Sequence, residues 1–193
     1  MEAQLLNECI KGKRRAQFEL YKLCYPFLMR VCRRYRQNED EVAAMLNTGF
    51  LKILTNLKKY KQNTPFEAWA KRIMINTLID DFRKTKKEKE RVFYAETPKL
   101  IAIGKAIDYN EAEKHFDASH IQSIIHQIPE MNRQVFNLFA IDGFSHKEIA
   151  IQMGFSEGTS KWYVATARKQ IKELLIKDMK QEEKLKFKLN KSL

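Results

Sequence analysis

The chain has 193 residues, enough for one ordinary domain or two small ones, and 44% are hydrophobic, which excludes a wholly disordered protein. Six Gly and four Pro are too few for a collagen, a turn-rich β protein or a Gly-rich linker. Thirty-six Lys and Arg against 24 Asp and Glu leave a net charge of +12, which favours nucleic acid, an anionic membrane surface or an acidic protein as partner.

No apolar run is long enough to span a membrane, so no membrane insertion is expected. The start, Met1-Glu2-Ala3-Gln4, has no signal-peptide core. Cys9, Cys24 and Cys32 form no CxxC and fit a reducing compartment, so a cytoplasmic protein is expected.

In chain order, nearly everything reads as helix. Apolar residues recur at Phe18, Tyr21, Cys24 or Tyr25, Leu28, Val31 and Tyr35, the spacing of a buried stripe. Pro26 should kink or divide that helix. A second stripe runs Val42, Met45, Leu46, Phe50, Ile53, Leu57, Tyr60, in a helix expected over 39–60 with Asn38 as N-cap and acids in its first turn. Thr64-Pro65-Phe66-Glu67 has the form of a capping box with Pro at the first helical position. The helix it opens passes Trp69, Ile73, Asn76, Ile79 and Phe82. It then enters a run from Arg83 to Arg91 with six basic and two acidic residues.

From Val92 the periodicity fades, and a linker with a short helix near residues 101–107 is expected. Periodicity returns at Ile121, Ile124, Ile125 and Ile128. Pro129-Glu130 opens a helix carrying Val135, Phe136, Leu138 and Phe139, which Gly143 should stop. Ser145-His146-Lys147-Glu148 is a capping box for a short helix ending at Met153. Gly154 then suits a tight turn, and Ser156 caps a longer helix to about Ile176 that buries Val164, Ala167, Ile171, Leu174 and Leu175. Short helix, Gly turn and longer helix make a helix-turn-helix, with an αα-hairpin lacking any ligand as the alternative. Its second helix should present Ser156, Thr159, Lys161, Trp162, Ala165, Thr166 and Arg168 to DNA. The lysine-rich end reads as a frayed, solvated helix terminus. The expected fold is therefore all-α: an N-terminal helical bundle (1–91), a linker (92–118), a C-terminal helix-turn-helix domain (119–177) and a basic tail (178–193).

The segment Phe66-Glu67-Ala68-Trp69 through Arg72-Ile73, Asn76, Asp80 and Arg83-Lys84 resembles the promoter-melting helix of bacterial sigma factors of the extracytoplasmic-function (ECF) group. Ile128-Pro129-Glu130, Gly143-Phe144-Ser145, Glu148-Ile149-Ala150, Gly154-Phe155-Ser156-Glu157-Gly158-Thr159, Lys161 and Ala167-Arg168 resemble the second domain of the same family. Residues 18–35 are similar to its first conserved region.

The resemblance implies a protein that binds core RNA polymerase through its beta-prime and beta subunits, directs it to promoter DNA and helps melt the −10 element. It implies −10 contacts by Lys61, Asn63, Thr64, Asn76, Asp80, Arg83 and Lys84. The −35 element would be read by the helix-turn-helix. Polymerase would be gripped by Glu41, Asn47, Thr48, Phe50 and Lys52. Phe66 and Trp69 fit the core better than a base stack.

The sequence departs from the family where acids usually stand in the gripping segment, at Ala43, Ala44 and Thr48. It departs again at Tyr163, Ala165 and Thr166, which are not basic, and at Trp162, where a small residue is usual. Fewer cations mean fewer phosphate contacts. Such a factor would read its upstream element weakly, read it with Trp162, or depend on a DNA-bound recruiting protein; an anti-sigma factor is the other partner the family implies. The alternative reading is a freestanding helix-turn-helix regulator that never binds polymerase.

A nucleic-acid-processing enzyme is the third reading. His115, His120, His126 and His146 match no metal motif and read as solvent-facing linker residues, so no metal or other cofactor is expected. Asp80 and Asp81 project about 100° apart on a helix and cannot converge alone on one ion. No phosphate-binding Gly loop or nucleophile motif is present, and no catalytic residue is expected.

Overall fold

The computed structural model describes residues 3–90 and 118–190, with side chains over 3–85 and 119–180. The expected short helix near 101–107 and His115 lie outside the described residues. The chain divides into two compact units, 1–96 and 97–193, and among the described residues every regular element is helical.

In the first unit, α1 (Ala3–Ile10) packs on α2 (Arg14–Tyr35), and α2, α3 (Glu39–Asn56) and α4 (Phe66–Glu90) pack pairwise into a bundle. Its core holds Leu20, Cys24, Leu28, Val31, Tyr35, Val42, Leu46, Ile53, Met74 and Leu78. Pro26 does not divide α2: the helix runs through it. The buried phase of α2 is Ala16, Leu20, Cys24, Phe27, Leu28, Val31 and Tyr35, while Phe18 is 62% exposed. Two three-four phases overlap in this segment, and α1 seals the one that contains Leu20 and Cys24.

Asn38 caps α3 by accepting from the amides of Asp40 and Glu41, and three acids follow in the first turn, where the helix dipole favours them. The helix expected to reach Tyr60 gives way at Leu57 to a 3₁₀ turn, Leu57–Lys59. The Thr64 capping box does not form. Pro65 stands one place before the helix, its carbonyl accepting from Trp69 N (3.1 Å), and the Thr64 hydroxyl faces Asn63. Glu67 pairs with Lys71 at 2.7 Å instead of reaching back.

In the second unit, α5 (Ala118–Gln127), α6 (Glu130–Phe136) and α7 (His146–Met153) each pack on α8 (Glu157–Asn190). Ile124, Ile125, Ile128, Phe136, Ala167 and Ile171 form the core, flanked by Ile121, Leu174 and Leu175. A π turn, Asn137–Ile141, continues α6 and is closed by Asp142 N on Asn137 O (2.9 Å); Gly143 follows in the left-handed region (φ 74°). The helix expected to end at about Ile176 continues to Asn190.

Candidate nucleic-acid interface

The outward side of α4 carries Asn76, Asp80, Arg83 and Lys84, all exposed and spaced so that one helical face presents them. Asp80 and Asp81 diverge. Asp80 lies 3.4 Å from Lys52 on α3, and Asp81 accepts from Arg36 at the end of α2 at 2.6 Å. Arg36 is nearly buried and also stands 3.7 Å from Glu41, so one guanidinium ties three helices together.

The turn before α4 exposes Lys61, Asn63 and Thr64. Behind it Tyr60 packs on Phe66 edge-on (5.3 Å) and on Trp69 (5.1 Å), and its hydroxyl donates to Thr64 O at 2.7 Å. Phe66 is buried and Trp69 half-buried, so the aromatic trio holds the turn in shape. Between the end of α3 and α4 opens a cleft of about 250 Å³ lined by Lys52, Asn56, Lys59, Trp69, Ile73, Asn76 and Thr77. Two cations, two amides and an indole therefore meet beside the exposed turn.

The outward sector of α3 presents Glu41, Asn47 and Thr48, with Leu51 61% exposed among them. Tyr21 of α2 donates to Asn47 at 3.4 Å, and the Thr48 hydroxyl donates to Ala44 O within its own helix.

In the second unit the Ser145 capping box forms both ways: Glu148 N donates to Ser145 Oγ (3.2 Å) and Ser145 N to Glu148 Oε2 (2.9 Å). Gly154 takes the left-handed conformation (φ 76°), and Gly154 N and Phe155 N both reach Ala150 O. Ser156 caps α8 by accepting from Thr159 N at 3.0 Å, with the Thr159 hydroxyl 2.8 Å away. Ser160, Val164, Ala167 and Ile171 point inward. Lys161 is exposed on the other side, with Trp162, Ala165 and Thr166 half-exposed; Trp162 leans edge-on against Tyr163 (5.0 Å). Phe139 is covered by the His146 ring (4.2 Å, nearly parallel) and contacted by the Arg168 guanidinium at 5.7 Å. His146 Nδ1 lies 3.0 Å from the buried Ser160 hydroxyl. Burial, with Lys161 and Arg168 nearby, pushes the His146 pKa below its ordinary value, although Glu157 opposes this.

Residues 20–88 match the Sigma-70 region 2 family and residues 120–171 the Sigma-70 region 4 family, together more than half of the chain. SigZ of Bacillus subtilis is 28% identical over 142 residues, which is 73% of this chain and 77% of that protein. The ECF sigma factor EcfG of Rhodopseudomonas palustris is 26% identical, covering 73% and 75%. The chain belongs to the ECF sigma factors of bacterial RNA polymerase. Among solved structures, sigma factor RpoE in complex with the anti-sigma factor NepR from Bartonella quintana matches with a TM-score of 0.49 at 19% identity, over 82% of this chain and 95% of that one.

As an ECF sigma factor it binds core RNA polymerase and promoter DNA and takes part in transcription initiation. A chain carrying both regions is not a freestanding regulator. No described helix is long and apolar enough to cross a membrane.

The sequence-predicted residues of this sigma factor fall into three groups. Lys61, Asn63, Thr64, Asn76, Asp80, Arg83 and Lys84 are exposed in region 2, on the turn and α4. Lys52 faces Asp80 and the cleft, so it groups with them and not with Asn47 and Thr48. Phe50, expected on the gripping surface, is 7% exposed and packs edge-on against Tyr21, because it lies in phase with Leu46 and Ile53. In region 4, Arg168 was expected on the DNA-facing side. It is half-buried over Phe139, since it follows Ala167 by one residue and stands at the edge of the buried face. The three described histidines are not linker residues: His120 lies 3.0 Å from Asp178, His126 is half-buried in α5, and His146 packs inside the helix-turn-helix unit. Sequence reasoning missed Tyr60 as a staple and Asn56 and Lys59 as cleft residues. Only their position just before the capping motif hinted at it.

Proposed function

We propose that region 2 of this sigma factor opens the −10 element with the exposed turn Lys61–Thr64, the α4 face and the cleft between α3 and α4. Extracting a base from the stack costs about a few kcal/mol, which a site must offset with stacking, hydrogen bonds and phosphate neutralisation. The observation that carries this reading is the convergence of Lys52, Lys59, Asn56, Asn76 and Trp69 on one cleft beside that turn. Arg83 and Lys84 continue the basic surface along α4. The units 1–91 and 119–177 are read as the −10 and −35 modules, spaced by 92–118. In the −35 module, Ser156, Thr159, Lys161, Trp162, Ala165 and Thr166 face the major groove. The nucleotidyl chemistry belongs to the polymerase.

The polymerase grip is assigned to the outward sector of α3: Glu41, Asn47 and Thr48, with Leu51 beside them. Ala43 and Ala44 leave this sector short of acids, so apolar contact carries more of the interface there than charge.

The melting assignment is tested with Asn76→Ala and Lys59→Ala holoenzymes on two templates, an intact promoter duplex and one pre-opened across the −10 element. Transcription from the duplex should fall about tenfold or more, and the pre-opened template should recover most of it. Equal loss on both templates would show that the cleft serves another step.

A further inference from the structure

α8 is 34 residues long, and the core it serves ends at Ile171, Leu174 and Leu175. At about 1.5 Å per residue it measures about 50 Å, several times the width of a major groove of about 12 Å. A helix whose first turns lie in the groove therefore carries its distal turns across the flanking phosphates. The face that presents Trp162, Ala165 and Thr166 continues through Lys169, Lys177 and Lys180, all exposed. Lys184 and Lys188 hold the same three-and-four spacing further along the helix. Two acids, Glu173 and Glu183, share that spacing with the five lysines, and Asp178 lies 3.0 Å from His120 of α5. With five lysines against two acids, the face keeps a net positive charge in line with the recognition surface.

We infer that the distal half of α8 is a second DNA-binding surface, an arm whose lysines Lys177, Lys180, Lys184 and Lys188 engage the phosphate backbone beside the upstream element. The inference rests on the helix-turn-helix reading of region 4. It answers a deficit in that surface, where Lys161 is the free-standing cation of the first turns and Arg168 is held over Phe139. The ligand is the sugar-phosphate backbone of duplex DNA, irrespective of sequence.

The test is a full-length variant with Lys177→Gln, Lys180→Gln, Lys184→Gln and Lys188→Gln, assembled into holoenzyme. Its fold is checked by Trp162 fluorescence. Binding is measured against salt on a −35 duplex and on a scrambled duplex. Each lost phosphate contact lowers the slope of log K against log salt by about 0.9. The slope should fall by about 2–4 and affinity at low salt by tenfold or more, equally on both duplexes. An unchanged slope overturns the inference, as does a loss confined to the −35 duplex. It is also overturned if the variant loses core polymerase binding without DNA, which would make the stripe a protein contact. If the parent holoenzyme shows no preference for the −35 duplex, the helix-turn-helix reading fails separately, while the scrambled duplex still decides the arm.

Discussion

At Gly49 α3 lies directly against Met74 of α4, and Gly49→Ala tests that geometry. Gly49 is buried, and a Cβ added there falls 2.5 Å from Met74 Sδ and nearer still to its terminal methyl. Met74 is fully buried, with its sulfur 3.5 Å from the Cys32 thiol, so the thioether has little room to swing away. Overpacking of this kind costs about 1–3 kcal/mol. Replacing a mid-helix glycine by alanine independently gains about 1 kcal/mol. The net effect should be neutral to about 2 kcal/mol destabilising. In a Met74→Ala background the obstacle is gone, and the same substitution should stabilise by about 1 kcal/mol. The sign of the effect, or at least a coupling of about 1–3 kcal/mol, therefore reports the contact. The two units carry one tryptophan each, Trp69 and Trp162. Urea unfolding of the Trp162→Phe protein, followed by fluorescence, isolates region 2 from the multi-unit transition. Strictly additive changes, with Gly49→Ala stabilising in both backgrounds, would refute the reasoning. Because this crossing also fixes the cleft, the single variant should lose transcription on duplex promoters and regain it with Met74→Ala.

The other expectations concern single side chains. His146 is neutral by preference in the folded state because its pKa is depressed. Its contribution to stability is therefore present above about pH 6.5, its unfolded value, and is lost as pH falls toward and through the folded value. Urea midpoints of region 4 followed by Trp162 should show this acid limb, and His146→Gln should flatten it. Arg36→Ala strands Asp81, which is about one-third exposed, and should cost about 1–3 kcal/mol in region 2 unfolding; Asp81→Asn should cost less. Ser145→Ala removes the hydroxyl half of a capping box at the entry to the helix-turn-helix, leaving the backbone amide on Glu148, and should cost about 1 kcal/mol, with Ser145→Gly milder, measured in the same unfolding assay.

Much of the architecture was legible because it is written in local chemistry. Asn38, Ser145, Gly154 and Ser156 each do what their side chains or φ preferences dictate within four residues, and the structure places their helix ends accordingly. What escaped was decided by contacts far along the chain. The choice between Phe18 and Leu20 as the buried phase of α2 depends on α1, a separate short helix that packs on α2. Thr64 had the residue types of a cap. Pro65 nevertheless took the place before the helix, and Tyr60 claimed the Thr64 carbonyl. The cleft unites Lys52, Asn56 and Lys59 with Trp69, Ile73 and Asn76 across a helix crossing that no spacing rule encodes. Arg168 shows the limit of helical-wheel logic: a position 100° from a buried residue goes to solvent or to a neighbouring ring according to what stands there, and here Phe139 stands there.

The surfaces assigned to polymerase and to DNA differ in charge, and this separates their salt responses. Along the outward sector of α3, Ala43, Ala44, Asn47, Thr48 and Leu51 carry no charge, and Glu41 lies 3.7 Å from the Arg36 guanidinium. An interface built there gains little from long-range attraction, so raising salt, which shortens the screening length from about 10 Å at 0.1 M to about 3 Å at 1 M, should leave it almost untouched. The DNA surfaces, with Lys61, Arg83, Lys84, Lys161 and the lysines of α8, should lose affinity linearly in log salt. Titration of labelled sigma with core enzyme at about 0.05–0.5 M salt should change its dissociation constant by less than about threefold, while promoter binding by the assembled holoenzyme falls by orders of magnitude. A core-binding curve as steep as the promoter curve would mean that charged residues outside this sector hold the polymerase. The loss of acids at Ala43 and Ala44 would then be compensated electrostatically rather than by Leu51 and its neighbours. Leu51→Ala decides between the two: it weakens core binding by about tenfold if the contact is apolar and leaves it unchanged if it is ionic.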